Sequence, residues 1–279
     1  MGVAAGSTYR FAVLSEPFGS GVTDPTFEYD PTRDKPYLLS VNDNNNNTSP
    51  LYESSEPNFA DRSLVASDIT PELSDDVGSN IQNYVKRDGT YYVFTSENDT
   101  DAGLYTGDSL ANLTRYGVTL PGGSDCGAWE QDGTWYLFVE GEPYESQPSS
   151  DYLRVNTASD PTGPWNDQGV CLDVSGEPWH TGDPNLQIVN GELQMFIDNS
   201  EQHPNYRIAR CTPDSSDLLS WSVEDEQVTF QGGGDFDFQD VDGQIKGFVE
   251  FAGNDAQGIG YFEETHMTSK GYRVPMCSL

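Results

Sequence analysis

The sequence predicts an all-β fold: a five-bladed β-propeller forming one domain over residues 1–279. Three observations carry this. A short frame closed by a Gly-containing turn recurs along the chain. Each recurrence is followed by an apolar or aromatic run. Helical periodicity is nearly absent. A repeat near 50 residues that holds several short strands has the size of a propeller blade.

The frames are "DPTFEYDP" from Asp24, "IQNYVKRDG" from Ile81, "DCGAWEQDG" from Asp125, "DPNLQIVNG" from Asp183 and "DFDFQDVDG" from Asp235. Blades therefore start near residues 24, 81, 125, 183 and 235, at intervals of 57, 44, 58 and 52 residues. Asp-Gly or Asn-Gly supplies the positive φ of a tight hairpin turn, so each frame is a first strand running into a hairpin. In the first unit Pro31 and a short insertion replace the Gly. The second strands are "YLLSV", "TYYVFTS", "TWYLFVEG", "ELQMFID" and "QIKGFVEFAG". Third strands begin 23 to 27 residues into each unit, at Leu51, Leu104, Tyr152, Tyr206 and Ile259. A fourth strand-and-turn signal shows in "DSLANLTRYG", "SDPTGPW" and "DSSDLLSWSVE". The N-terminal "TYRFAVL" is expected to join the last blade and close the ring, which removes unpaired edges. "SLVASDI" near Ser63 is the one stretch with the look of a helical turn, and "NDNNNN" from Asn42 reads as a polar loop.

With 46 acidic and 13 basic residues the net charge is −33, while aromatic residues reach 12%. A disordered acidic chain lacks aromatics, so this charge belongs on the surface of a folded core. Such acidity excludes nucleic acid and an anionic membrane surface as default partners. It fits a protein adapted to high salt, where self-repulsion is screened. No apolar run approaches the ~20 residues of a membrane span. The opening "MGVAAGSTYRFAVLSEP" lacks the basic start and apolar centre of a signal peptide. Cys126, Cys171, Cys211 and Cys277 show no metal-knuckle spacing and are expected to be buried thiols more than disulfides.

First strands line the channel of a propeller, so Asp24, Asp125, Asp183 and Asp235 are expected at one level around its axis. Alternation sends Asp237 inward as well. One reading of these acids is a polar channel that holds water. The other is chemistry: like charges held together raise one another's pKa, keeping one carboxyl protonated beside an ionised neighbour. Glycoside cleavage needs such a pair, one acid to protonate the leaving oxygen and one carboxylate to activate water or attack.

The stretches "TDPTFEYD" at Asp24, "DCGAWEQDGTWYLF" at Asp125, "GDPNLQIVNGELQMFID" at Asp183 and "ASDPTGPW" ending at Trp165 resemble the five-bladed glycoside hydrolases of families 43 and 32, family 43 more closely. The resemblance runs from about Asp24 to about Phe262. It implies a general-base role for Asp24, a tuning role for Asp125 and the general-acid position at Asp183. That position carries Asp where the family has Glu, and Glu177 in "GEPWHTGDP" is the substitute within reach in sequence. Trp179, His180, Asp235 and Trp129 are candidate substrate contacts. Trp179 would offer an apolar platform for a sugar face, and His180 a hydrogen bond to a hydroxyl. No metal-ligand motif is evident and no cofactor is expected, save a structural cation held by the channel acids.

The resulting expectation is a carbohydrate-directed, glycoside hydrolase-like propeller that cleaves or binds surface glycans in high salt, and that inverts if it is active. The alternative is a non-catalytic glycan-binding or structural virion protein of a halophilic virus, used in host attachment. Expected partners are a glycan or glycoprotein surface, with homo-oligomer or virion assembly partners as a further option. The expected location is extracellular or on a virion surface, with the cytoplasm of a halophile as the alternative.

Overall fold

The computed structural model describes residues 11–15, 18, 21–43, 45–46, 48–71, 80–97, 100–123, 125–140, 151–200, 206–226, 228, 233–253 and 256–264. It is all-β over those residues, with five four-stranded antiparallel sheets arranged as a five-bladed propeller. Strand β1 (Phe11–Ser15) comes first. Blade 1 follows as β2 (Val22–Tyr29), β3 (Tyr37–Asp43), β4 (Leu51–Ser54) and β5 (Ser63–Ala66). Blade 2 is β6 (Asn80–Arg87), β7 (Thr90–Glu97), β8 (Asp101–Gly107) and β9 (Leu113–Leu120). Blade 3 is β10 (Cys126–Gln131), β11 (Thr134–Glu140), β12 (Tyr152–Ala158) and β13 (Asn166–Asp173). Blade 4 is β14 (His180–Val189), β15 (Glu192–Ser200), β16 (Tyr206–Pro213) and β17 (Trp221–Asp225). Blade 5 is β18 (Gly233–Val241), β19 (Gln244–Gly253) and β20 (Ala256–Glu264), and its fourth strand is β1, which pairs antiparallel with β20. The N-terminal segment thus closes the ring.

The hairpins form where turn chemistry places them. Asp88-Gly89, Asp132-Gly133, Asn190-Gly191 and Asp242-Gly243 all have positive φ at both central residues, between 50° and 83°. That is the primed turn whose twist matches a β-hairpin. Blade 1 instead crosses by a longer loop, closed by the Asp30 amide on the Pro36 carbonyl at 2.8 Å. The expected helical turn at "SLVASDI" is corrected: Ser63–Ala66 is the outer strand of blade 1 and pairs with β4. Leu64 and Val65 are exposed there, and β-branched or branched side chains on an outer strand suit an extended backbone.

The core is divided into five layers, one between each pair of neighbouring blades. Phe27 and Tyr37 of blade 1 meet Phe248 and Tyr261 of blade 5, so the layer that seals the ring is as aromatic as the others. Polar staples tie the first strands around the axis. The Ala128 amide donates to Asn83 Oδ1 (3.0 Å), the Phe27 amide to Asp237 Oδ2 (2.7 Å) and Asn185 Nδ2 to the Phe236 carbonyl (3.2 Å). Asp237 therefore faces inward, and burial pushes its carboxyl up to about 7, against the lowering effect of those amide bonds.

Blades 3 and 4 approach so closely that a Cβ on Gly127 would lie inside the Pro184 carbonyl oxygen. The clash is with backbone and has no side chain to move. Gly127→Ala is therefore expected to destabilise the fold by about 1–3 kcal/mol or more. A fall of several degrees in Tm by calorimetry checks this. Cys126, Cys171 and Cys211 are buried free thiols, and burial raises the pKa of each. Cys277 lies outside the described residues. These three thiols should react with a disulfide reagent only after denaturant is added, because the thiolate is the nucleophile.

Candidate active site

The four recurrent acids share an uncommon backbone. Asp24, Asp125, Asp183 and Asp235 have φ of 45°, 44°, 45° and 22°. Asp is among the few side chains that enter this left-handed region readily. In three blades the acid sits at a break in register: between Thr23 and Thr26, Gly182 and Asn185, and Gly234 and Phe236. A bulge of this kind re-aims a side chain. The Asp is thus an architectural residue, and the same geometry carries its carboxyl toward the axis. In blade 2 the position holds Ile81, buried between blades 1 and 2, so that blade contributes no carboxyl there.

A second row of acids completes the cluster. Asp198 pairs across from Gly182 and Glu250 across from Gly234, while Glu140 ends the second strand of blade 3. Oxygens of Asp24, Asp235 and Glu250 lie within 4.8 Å of one another, as do oxygens of Asp183, Asp198 and Asp235. Asp235 is common to both sets. Glu140 presses on the backbone of Gly182, where a Cβ would collide with its carboxyl. Asp125 interacts electrostatically with Asp24, Glu140 and Asp183. Seven carboxyl groups from four blades are thereby coupled.

No Lys, Arg or His forms an ion pair with Asp24, Asp183, Asp198, Asp235 or Glu250 among the described residues. Burial and mutual repulsion then set the protonation. Burial, then Asp235, pushes Asp24 up to about 8, against the lowering influence of the neighbouring Thr23 and Asn42 side chains. Burial, then Asp235 and Asp24, pushes Glu250 up to about 11. Asp183 rises well above the usual carboxylate range through burial, then Asp235 and Asp125. Asp198 rises through burial, then Asp235 and Glu140, and Glu140 through burial, then Asp125 and Asp235. The cluster holds protons at neutral pH beside any carboxylate that is ionised, which is the pairing acid–base chemistry requires.

Asp24, Asp183 and Asp235 border a void of about 20 Å³, enough for a water molecule. The two sets of three carboxyls are also the residues that would hold a hard cation through oxygen ligands. Asp198 Oδ1, buried without a hydrogen-bond partner, is the oxygen with most to gain from one.

The other sequence candidates lie apart from the carboxyls. Glu177 is exposed on a turn closed by its amide on the Val174 carbonyl at 2.9 Å. Trp179 is buried in the layer between blades 3 and 4, where its ring packs and offers no open face. His180 is half-exposed, with Nδ1 2.8 Å from Asp151 Oδ1. Trp129 lies in β10, toward the far end of the first strand from Asp125. Glu140, Asp198 and Glu250 are the acids that sequence reasoning passed over. Each falls fifteen residues after a frame Asp, a spacing repeated in three blades.

No family model matches the sequence, and no curated protein matches it. Solved structures do match by shape. A thermostable family-43 glycoside hydrolase has a TM-score of 0.67 at 16% identity, over 92% of this chain and 95% of that one. An endo-arabinase from Bacteroides thetaiotaomicron gives 0.66 at 16%, over 93% and 100%. An exo-1,5-α-L-arabinanase from a bovine ruminal metagenomic library gives 0.64 at 12%, over 92% and 97%. At this identity the likeness shows the fold: the chain is built like glycoside hydrolase propellers.

Proposed function

We propose that this chain is a carbohydrate-directed propeller that hydrolyses glycosidic bonds at the carboxyl cluster, in high salt. The observation that carries the reading is the gathering of Asp24, Asp125, Asp183 and Asp235, with Glu140, Asp198 and Glu250, on a fold shared with family-43 hydrolases. Asp183, held protonated by burial and its neighbours, is suited to donate its proton to the leaving glycosidic oxygen. Asp24, once ionised, takes a proton from water, whose oxygen attacks the anomeric carbon from the opposite face. The bond to the leaving sugar breaks as that sugar gains the Asp183 proton, and the product inverts. Asp125, coupled to both groups, tunes their charge. Glu177, exposed and off the cluster, is the weaker choice of acid. The chain's −33 charge supports work in brine, where molar salt shortens the Debye length to about 3 Å.

A second reading is a glycan-binding propeller without turnover, as on the surface of a halophilic virus. The Asp in place of Glu at position 183 favours it, because a side chain one methylene shorter must still reach the leaving oxygen. Linear 1,5-α-arabinan and the surface glycan of a halophilic archaeon, incubated with the protein in molar salt, separate the two. Release of reducing sugar by the wild type and its loss in Asp24→Asn support the hydrolase. Binding without release supports the second reading.

A further inference from the structure

A separate cavity of about 490 Å³ opens at the other end of the first strands. It is bordered by the late residues of those strands in all five blades, from Tyr29 in β2 to Gln239 in β18. Asp24 and Asp30 are six residues apart along blade 1, about 20 Å in an extended chain. Between the two ends stand Asn83, Asn185 and Asp237, whose hydrogen bonds tie neighbouring first strands, and the two cavities share no lining residue. The cavity is therefore a compartment distinct from the carboxyl cluster. Its volume lies in the range of small-ligand sites.

Its chemistry is also different. Lys86 and Arg87 line it, but both are answered within the protein: Lys86 Nζ lies 3.0 Å from Glu28 Oε1 and 3.8 Å from Asp30 Oδ2, and Arg87 pairs with Glu130. A charged ligand would have to break these pairs, whereas a neutral one leaves them intact. The walls combine aromatic surface, from half-buried Trp129 and from Tyr84, with the amides of Gln187 and Gln239. An aromatic wall against a polar floor matches a ring with an apolar face and hydroxyl edges. The Trp129 indole N–H is itself buried, so it is the ring and not the N–H that meets the cavity, and its resonance reports on the packing of that wall.

We propose that this cavity is a second binding site, for a neutral saccharide unit, on the face opposite the carboxyl cluster. Trp129 supplies its apolar wall, and Gln187, whose amide nitrogen already donates to Asn185 Oδ1 and Asp237 Oδ1, accepts a hydrogen bond from a hydroxyl on its Oε1. The site does not depend on hydrolysis at the cluster.

The test is NMR of the full chain in molar salt. The Trp129 indole N–H resonance is identified by its absence in Trp129→Phe, then followed during titration with D-glucose, D-galactose and L-arabinose. Saturable movement with at least one sugar is expected, with an apparent Kd raised about tenfold or more in Gln187→Ala of unchanged circular dichroism. The same movement is expected in Asp183→Asn, whatever that variant does to hydrolysis. No movement with any of the three sugars overturns the proposal. So does movement with glycine betaine or phosphate alone, or movement that vanishes in Asp183→Asn, since the resonance would then report on the cluster.

Discussion

Asp183→Asn should lower kcat/KM for sugar release by about 10²–10⁴-fold, the usual contribution of a positioned general acid. Glu177→Gln should change it less than tenfold. The contrast follows from placement: Asp183 lies among coupled carboxyls that hold its proton, whereas Glu177 is exposed on a turn. The pH profile carries the same assignment. A base must be ionised, so activity should rise with pH toward the value of about 8 for Asp24. The acid limb should lie well above the ordinary carboxylate range, because burial and the neighbouring Asp235 and Asp125 raise Asp183. An optimum near pH 5 would contradict both roles, and steady-state assays on arabinan at stepped pH decide it.

Thermal stability should fall as pH rises from about 5 to about 9, the reverse of ordinary acid denaturation. Asp24 and Glu250 have folded pKa values raised above their unfolded ones. Their neutral forms are the ones the fold accepts. Stability linked to them is fully present below the unfolded values of 3.8 and 4.5, and is lost as pH rises toward about 8 and about 11. Each such group contributes up to about 1.4 kcal/mol per pH unit within its window. Surface acids act in the other direction. Asp30, Asp61, Asp160 and Asp214 are held low chiefly by hydrogen bonds from Ser and Thr hydroxyls, so stability should also fall at low pH, and an acidic optimum results. Glu250→Gln and Asp24→Asn should each flatten the alkaline slope. Calorimetric Tm values across that range, at fixed molar salt, provide the check.

The fold was legible because each blade repeats the same turn chemistry. Asp-Gly or Asn-Gly pairs mark four of the five hairpins, and the fifth is the one lacking Gly. The first row of acids was legible for the same reason, since Asp24, Asp125, Asp183 and Asp235 open the frames. The left-handed backbone that selects Asp there was not visible in the sequence. Nor was the second row. Glu140, Asp198 and Glu250 close the apolar runs "TWYLFVE", "ELQMFID" and "QIKGFVE", where an acid reads as a solvated strand end. The hairpins set the end of each second strand beside the start of the first, and the propeller makes those ends converge at the axis. In blade 1 the longer loop sets Asn42 eighteen residues after Asp24, which breaks the spacing that would have exposed the pattern. Trp179 failed as a sugar platform for a related reason: its neighbourhood in sequence is acidic and open, but the blade interface takes its ring.

Carboxyl groups from four blades form one interacting, partly protonated cluster. Its most direct test is the titration of side-chain carboxyl ¹³C shifts in uniformly labelled protein, in molar salt. Several Asp and Glu carboxyls should titrate above pH 7, the resonance lost in Asp24→Asn moving near pH 8. Carboxyls that have all finished titrating by about pH 5, as independent solvated acids do, would contradict it.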